Sequence, residues 1–449
     1  MIQQKNIVTI VCLILTIQAI GQKVFLPHIF TADPSAHVWK HDTNTLWIYS
    51  SHDAPNTNHH ATMADYHVFS TTDMVNWIDH GRVLSLDDVD WAAGYAWAID
   101  AVYYNNKYYL VYCMVEEKTS MFRTGLAVSD VPQGPFDDIG FIKGVEWGQD
   151  PALFIDDDNT PYLFWGLGKS GHVVQLTKDL TEAIPETYIN LTEQLTEIFE
   201  GPWIHKYKGK YYCSYPALTG DEWPEEMCYA MADKVTGPYK FMGKYIPQFK
   251  GQSGTNHGSI AKFKGEWYAF HHSAWLSNGL SETRNINIDR LAYNQDGSIV
   301  TIVPDTNTLG LNPKCIIHLE AEEALKQGGK IRGAAVESNF EGYSGKGYIG
   351  SLDKKYDNME VLVQVASEMK ANLKIRIQAD KDAKLDILVG NTMMDGWNGT
   401  PVAATKDWKI VDFGEIQLKE GDNRINISSH YDAGLKVDYF IVEPIINNY

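Results

Sequence analysis

Three acidic residues stand just ahead of aromatic strand segments: Asp33 in Ala32-Asp33-Pro34, Asp150 in Gln149-Asp150-Pro151 and Glu200 in Phe199-Glu200-Gly201-Pro202. Asp100, in Trp97-Ala98-Ile99-Asp100, and His257, in Asn256-His257-Gly258, hold corresponding places ahead of two further segments. Carboxylates brought together repel, so at least one must keep its proton above the usual carboxylate range. A protonated carboxyl facing an ionised one is what acid–base hydrolysis of a glycosidic bond requires. A single Asp-Pro pair more often just begins a turn. Five polar residues in phase argue for one shared site.

The phase comes from an internal repeat. An apolar strand, a tight polar turn and an aromatic strand recur five times, the second strands being centred on Trp47, Tyr109, Tyr162, Tyr212 and Tyr268. The turns before them read Asp42-Thr43-Asn44, Asn105-Asn106, Asp157-Asp158-Asn159, Lys208-Gly209 and Lys264-Gly265, residues that accept the positive φ of hairpins. Short strands repeating about every 50 residues, without long helical periodicity, predict a five-bladed β-propeller ending near residue 311. The residues entering each repeat then converge at one mouth of the central channel. The turn-rich stretch from Pro304 to Pro313 breaks the pattern, and alternating strands from residue 316 to the end predict a β-sandwich. The fold class is therefore all-β, a propeller over 22–311 followed by a jelly-roll sandwich over 316–449.

Residues 1–21 read as a cleaved signal peptide: Lys5, an apolar run from Ile7 to Ile17, then small residues at Ala19 and Gly21. The expected location is periplasmic or extracellular. No later segment is apolar for long enough to cross a bilayer, so no membrane span is expected in the mature chain. The remaining cysteines, Cys113, Cys213, Cys228 and Cys315, are scattered and lack zinc-site spacing. Among 449 residues, 57 Asp and Glu outweigh 38 Lys and Arg, for a net charge of −19. That balance excludes nucleic acid as a partner, since phosphate binding relies on clustered cations. Aromatic residues make up 12% of the chain, more than a core needs, and indole faces suit sugar rings. Trp39, Trp91, Trp97, Trp147, Trp203 and Trp275 are the candidates near the mouth.

Residues 24 to about 311 resemble glycoside hydrolase family 43, on Ala32-Asp33-Pro34, on Gln149-Asp150-Pro151 followed by Phe154-Ile155-Asp156-Asp157-Asp158, on Phe199-Glu200-Gly201-Pro202 and on Asn294-Gln295-Asp296-Gly297-Ser298-Ile299. The resemblance implies an inverting enzyme in which Asp33 is the general base, Asp150 modulates the acid and Glu200 is the general acid. It further implies that Asp100 contacts substrate, that Arg284 reaches toward the sugar, and that His257 helps hold a calcium ion through water. Trp91, Trp97 and Trp203 are expected to line the substrate pocket. Two positions depart from the family pattern: Ile99 replaces a proline, and Gln149 stands where an apolar residue is common.

The C-terminal sandwich resembles carbohydrate-binding modules of families 6 and 35, on Leu319-Glu320-Ala321-Glu322, Gly342-Tyr343-Ser344-Gly345-Lys346-Gly347-Tyr348 and Val437-Asp438-Tyr439-Phe440-Ile441-Val442. That implies a structural calcium ion held by Glu320, Glu322 and Asp438, and a sugar site at Tyr343 and Trp408, with Trp397 a further candidate. The expectation is a secreted glycosidase acting on plant-type oligo- or polysaccharide, with no cofactor needed for the chemistry. It removes α-L-arabinofuranose or β-xylose from chain ends, the connection from Met63 to Trp97 walling off a pocket. An endo-acting arabinanase or xylanase and a non-catalytic binding propeller stay open as alternatives.

Overall fold

The computed structural model describes residues 25–445 apart from 56, 58, 353, 356, 391 and 394–398, so the leader and Trp397 lie outside the described residues. Five antiparallel sheets succeed one another. Blade 1 holds β1 (Thr31–Trp39), β2 (Asp42–His52), β3 (Asp65–Thr71) and β4 (Asn76–Ser85). Blade 2 holds β5 (Ala92–Tyr104), β6 (Lys107–Glu116), β7 (Phe122–Ser129) and β8 (Asp137–Phe141). Blade 3 holds β9 (Ala152–Ile155), β10 (Pro161–Trp165), β11 (His172–Gln175) and β12 (Ile189–Asn190). Blade 4 holds β13 (Trp203–Tyr207), β14 (Lys210–Ala217), β15 (Glu226–Ala232) and β16 (Lys240–Ile246), and blade 5 only β17 (Ser259–Phe263), β18 (Glu266–Ser273) and β19 (Asn285–Leu291). The first strands touch in order, β1 to β5, β9, β13 and β17, and β17 touches β1 again, which closes the ring.

The second strand of each blade is the repeat's aromatic segment, and it is covered on both faces by the neighbouring blades. Every residue of β10 is buried, as is every residue of β14 after Lys210. Double burial removes the polar alternation that a half-exposed strand would show. Four of the five turns fall where expected, with positive φ at Asn105, Asn106, Asn159, Lys208, Gly209, Lys264 and Gly265. In blade 1 the register pairs Trp39 with Asp42, so Lys40 and His41 form the turn and Asp42-Thr43-Asn44 already belongs to β2. The connection from Met63 to Trp97 is not a wall: it is mostly β3, β4 and the start of β5, regular strands of blades 1 and 2.

Beyond Lys314 the chain forms a sandwich. One sheet runs β29 (Lys409–Leu418), β25 (Met369–Gln378), β31 (Lys436–Ile445) and β20 (Lys314–Glu320), with β23 (Tyr348–Gly350) and β22 (Ala335–Glu337) beside β31. The other runs β21 (Lys330–Arg332), β24 (Asn358–Val365), β30 (Gly421–Ser429) and β26 (Ala383–Val389), with β27 (Thr392–Met393) and β28 (Thr400–Val402) on β26. Alternate residues of β25 and β30 turn inward, and both sheets contribute to one apolar core.

Propeller and sandwich are not separate beads. β20 pairs in parallel with β4, Lys314 opposite Asn76 through Ile317 opposite Asp79, so blade 1 and one sandwich sheet are continuous. A buried polar network crosses the same seam. Gln364 of β24 accepts from His67 Nε2 at 3.0 Å and donates to Asp65 Oδ2 at 3.0 Å, while Asp65 Oδ1 meets His52 Nδ1 at 2.7 Å. Asp79 takes His28 Nε2 at 3.0 Å and His67 Nδ1 at 3.2 Å.

Burial alone would raise the Asp79 and Asp65 carboxyls, but the facing histidines hold both well below the usual range. Burial opposes a charge on His67 too, yet Asp79 and Asp65 raise it. The Asp contributions are present above the unfolded pKa near 3.9 and lost as pH falls; the His67 contribution is present below about 6.5 and lost as pH rises through its raised pKa. The seam is therefore strongest between about pH 4 and 6.5. Asp79→Asn is expected to cost about 3 kcal/mol at pH 6 and to flatten the acid limb of the stability profile, read from urea midpoints between pH 3 and 7.

Candidate active site

Local backbone geometry sets the catalytic candidates. Asp33 and Asp150 both adopt the left-handed conformation, at φ 52° and 48°, each directly before a proline. In blade 4 Gly201 takes that conformation, at φ 54°, before Pro202. Asp tolerates this region better than most residues. At Asp33 the register between β1 and β2 slips between Ala32 and Ser35, and the resulting bulge turns the side chain toward blade 5.

Asp33 is 6% exposed and surrounded by donors. Arg284 Nη1 lies 3.2 Å from Oδ1, Ser51 Oγ donates to Oδ2 at 2.5 Å, and His257 Nδ1 sits 3.7 Å from Oδ1. Its backbone N–H donates to His272 Nδ1 at 3.2 Å, and His272 Nε2 donates to Thr255 O at 3.0 Å, which fixes a neutral ring. Burial would raise the Asp33 carboxyl, but Arg284 and then His257 hold it far below the usual carboxylate range. Arg284 is itself fixed by Asp53, which accepts from Nε and Nη2, each at 2.9 Å, and from the Arg284 backbone N–H at 2.7 Å.

Glu200 lies in the opposite environment. Burial first, then Glu225 and Asp33, push its carboxyl well above the usual range. Asp150 is raised as well, by burial and then by Glu200. Glu225, fully buried, is pushed up to about 8 chiefly by burial, although the Asn256 N–H donates to it at 2.7 Å. One carboxyl held low beside an arginine thus lies among buried carboxyls whose proton affinity is raised. That is the separation of acid from base expected of a glycosidase site.

Comparison with known proteins places this geometry. Residues 26–299 match the model of glycosyl hydrolases family 43. The chain belongs to glycosyl hydrolase family 43. It is a glycoside hydrolase. A xylosidase/arabinosidase of Bacteroides ovatus is 35% identical over 63% of this chain and 97% of its own length. A solved β-xylosidase/α-arabinofuranosidase from a compost microbial metagenome is 32% identical, covers 63% of this chain and 98% of its own, and superposes with a TM-score of 0.55. An arabinoxylan arabinofuranohydrolase from Bacillus subtilis covers 94% of this chain and 97% of its own with a TM-score of 0.56; at 22% identity it shows a shared fold spanning both halves.

Within this family 43 chain the other candidates divide. Asp100 is filled by protein donors: His37 Nε2 at 2.8 Å and Ser35 from blade 1, its neighbour's Ala101 N–H at 2.8 Å, and the Leu153 N–H of blade 3 at 2.7 Å. It braces three blades and has no free oxygen to offer a sugar. Trp203 is buried in the core between blades 3 and 4, and Trp91 stacks on Tyr112 beneath β5. Trp97 stays half-exposed, stacked on Phe122 and donating to His60 O at 3.0 Å. Arg284 points Nη1 at Asp33 and gives Nε and Nη2 to Asp53, Nη2 also meeting Met63 Sδ.

Several site residues had no sequence signal. Ser51, Asp53 and His272 end second strands whose repeat pattern marks only the aromatics. His60 lies in the 53–62 connection, lowered to about 4 by burial and then by Arg284. Trp223, 54% exposed, packs its ring against Phe199, next to the acid, and Trp147 is 48% exposed two residues before Gln149.

His257 turns Nδ1 toward Asp33, 3.7 Å from Oδ1, so that nitrogen faces a carboxylate. The sandwich fits a cation better. Glu320 Oε2 and Glu322 Oε2 are buried without a hydrogen-bond partner among the described residues. Burial pushes Glu322 up to about 8 and raises Asp438, although Ser344 N–H and Arg376 engage the latter. Tyr343 and Trp408 both pack against Tyr348, and Trp408 Nε1 donates to Glu341 O at 3.1 Å. Because Asp53 is, among the described residues, the one carboxylate besides Asp33 that bonds Arg284, Asp53→Asn is expected to lower kcat on aryl glycosides about 10²-fold, with a smaller change in KM, measured by steady-state kinetics.

Proposed function

We propose that this family 43 enzyme is an exo-acting, inverting pentosidase that releases α-L-arabinofuranose or β-xylose from plant-type polysaccharide. The observation that carries the mechanism is the opposed surroundings of the two carboxyls, Asp33 bonded by Arg284 and Ser51 and Glu200 bonded by the neutral Gln149 amide. Asp33 takes a proton from water as its oxygen attacks the anomeric carbon; Glu200 gives its proton to the departing glycosidic oxygen as that bond breaks. Asp150, buried and sharing the Gln149 amide with Glu200, is placed to orient the acid. The pentose reading is supported by the similarity to the xylosidase/arabinosidase relatives.

Chain-end action is supported by the 53–62 connection. Thr57 O accepts from Thr283 Oγ1 of blade 5 at 2.8 Å, and His60 O accepts from Trp97 of blade 2, so this loop bridges both neighbours beside Arg284. Trp147 and Trp223 supply exposed ring faces and Trp97 a partly buried one. Export, with residues 1–21 as leader, belongs to the same reading.

A panel of aryl α-L-arabinofuranoside, aryl β-xyloside and arabinoxylan, with the product anomer followed by NMR, tests it. Release of single pentoses of inverted configuration is expected; internal cleavage or retained configuration would overturn it. Glu200→Gln should abolish polysaccharide turnover while sparing aryl glycosides with good leaving groups, which need no protonation. Since Glu200 must be protonated and Asp33 ionised, kcat/KM should hold on the acid side to about pH 4 and fall as pH rises through the raised Glu200 pKa.

We also propose that Glu320, Glu322 and Asp438 hold calcium in the sandwich, where it would neutralise buried carboxylates, and that Tyr343 and Trp408 present a sugar-binding face. Chelation by EDTA is expected to lower the melting temperature by about 5 °C, with calcium restoring it, and Glu322→Gln should remove that response.

A further inference from the structure

The residue before Asp150 is a buried amide, where an apolar side chain would pack more simply. Gln149 is 3% exposed. Its Nε2 donates to Glu200 Oε2 at 3.1 Å and to Asp150 Oδ2 at 3.5 Å. Its Oε1 is buried and has no hydrogen-bond partner among the described residues. The backbone around it is pinned: Thr124 Oγ1 donates to Gly148 O at 3.0 Å, and Gly166 N–H donates to Gln149 O at 3.1 Å. A Cβ on Gly148 would meet Thr124 Oγ1 at 2.3 Å, so this close approach requires glycine.

A buried amide with an unmet carbonyl is a cost that methionine or isoleucine at this position would avoid. The two N–H bonds are what the amide supplies in exchange, and both go to carboxyls of the site. We propose that Gln149 is a positioning residue: it bridges Asp150 and Glu200, holds the two carboxyl groups in fixed relation, and limits how tightly Glu200 retains its proton. Without it, burial and the neighbouring carboxylates act on Glu200 unopposed by this donor, and the acid holds its proton more firmly. A donor to a carboxylate favours the ionised form, which is the direction this argument needs.

The inference rests on Glu200 being the general acid, and the experiment separates the two. Gln149→Met and Gln149→Asn are compared with the parent in kcat/KM against pH, on an aryl glycoside with a poor leaving group. Asn keeps the amide but is one methylene too short to bridge. Both variants are expected to move the alkaline limb up by about one pH unit and to lose roughly tenfold in kcat at the parent's optimum, with the Met variant melting no lower than the parent. An unmoved limb in both variants overturns the proposal, as does a parental profile in the Asn variant beside a shifted one in Met, since amide polarity without the bridge would then suffice. Glu200→Gln, read on an aryl glycoside with a good leaving group because that substrate needs no protonation, is the control. If its alkaline limb persists, the assignment of the acid fails and the proposal with it; if the limb disappears there but stays put in the Gln149 variants, the Gln149 proposal alone fails. Should the Met variant not fold, the Asn profile decides.

Discussion

The site depends on one buried cation. Arg284 lies between Asp53, which takes its Nε and Nη2, and Asp33, which takes Nη1. Burying a charge is costly unless it is paired and hydrogen-bonded, and here both conditions are met twice over. The consequence reaches past Asp33. With the guanidinium bonded to Asp53 and Asp33, Glu200, Asp150 and Glu225 make no ion pair with it among the described residues, and burial raises them. Acid and base are thus separated by where a single guanidinium is placed.

Three consecutive residues, the last two of β2 and the one that follows it, make that placement possible. Ser51 bonds the base, His52 bonds Asp65 at the seam with the sandwich, and Asp53 holds Arg284. Side chains alternate along a strand, so neighbouring residues naturally serve different faces. A strand entering the channel mouth can therefore tie the catalytic base to the blade seam without a dedicated loop.

The repeat and the Asp33, Asp150 and Glu200 motifs were legible because each is local: hairpin turns, aromatic second strands and acid-proline junctions are read within a few residues. Asp53 and Arg284 lie 231 residues apart, and nothing in either neighbourhood announces the pairing. Asp100 shows the converse error. It sits in phase with Asp33, Asp150 and Glu200, yet β5 begins eight residues earlier, at Ala92, so Asp100 lies within the strand, where neighbouring blades supply donors. The aromatics misled for a related reason: in blades covered on both sides an indole is needed as filler, and only exposure separates Trp97 and Trp223 from Trp203.

The parallel pairing of β20 with β4 was equally invisible, because the linker composition suggested a boundary while the backbone continued a sheet. A four-stranded blade leaves its outer strand as an exposed edge, a template for unwanted pairing. In blade 1 that edge is covered by the sandwich, and the seam is then filled with Asp79, His67, Asp65 and Gln364 rather than with aliphatic side chains. Polar groups in such a place bond only in one register, since a slip of one residue would turn Asp79 away from both His28 and His67. The network therefore specifies how the two halves meet, while the apolar clusters on either side supply most of the adhesion. The same strand that receives the sandwich lies one strand from β3, whose Asp65 holds His52, so the geometry of the seam and the geometry of the catalytic base are set by adjacent residues of a single blade.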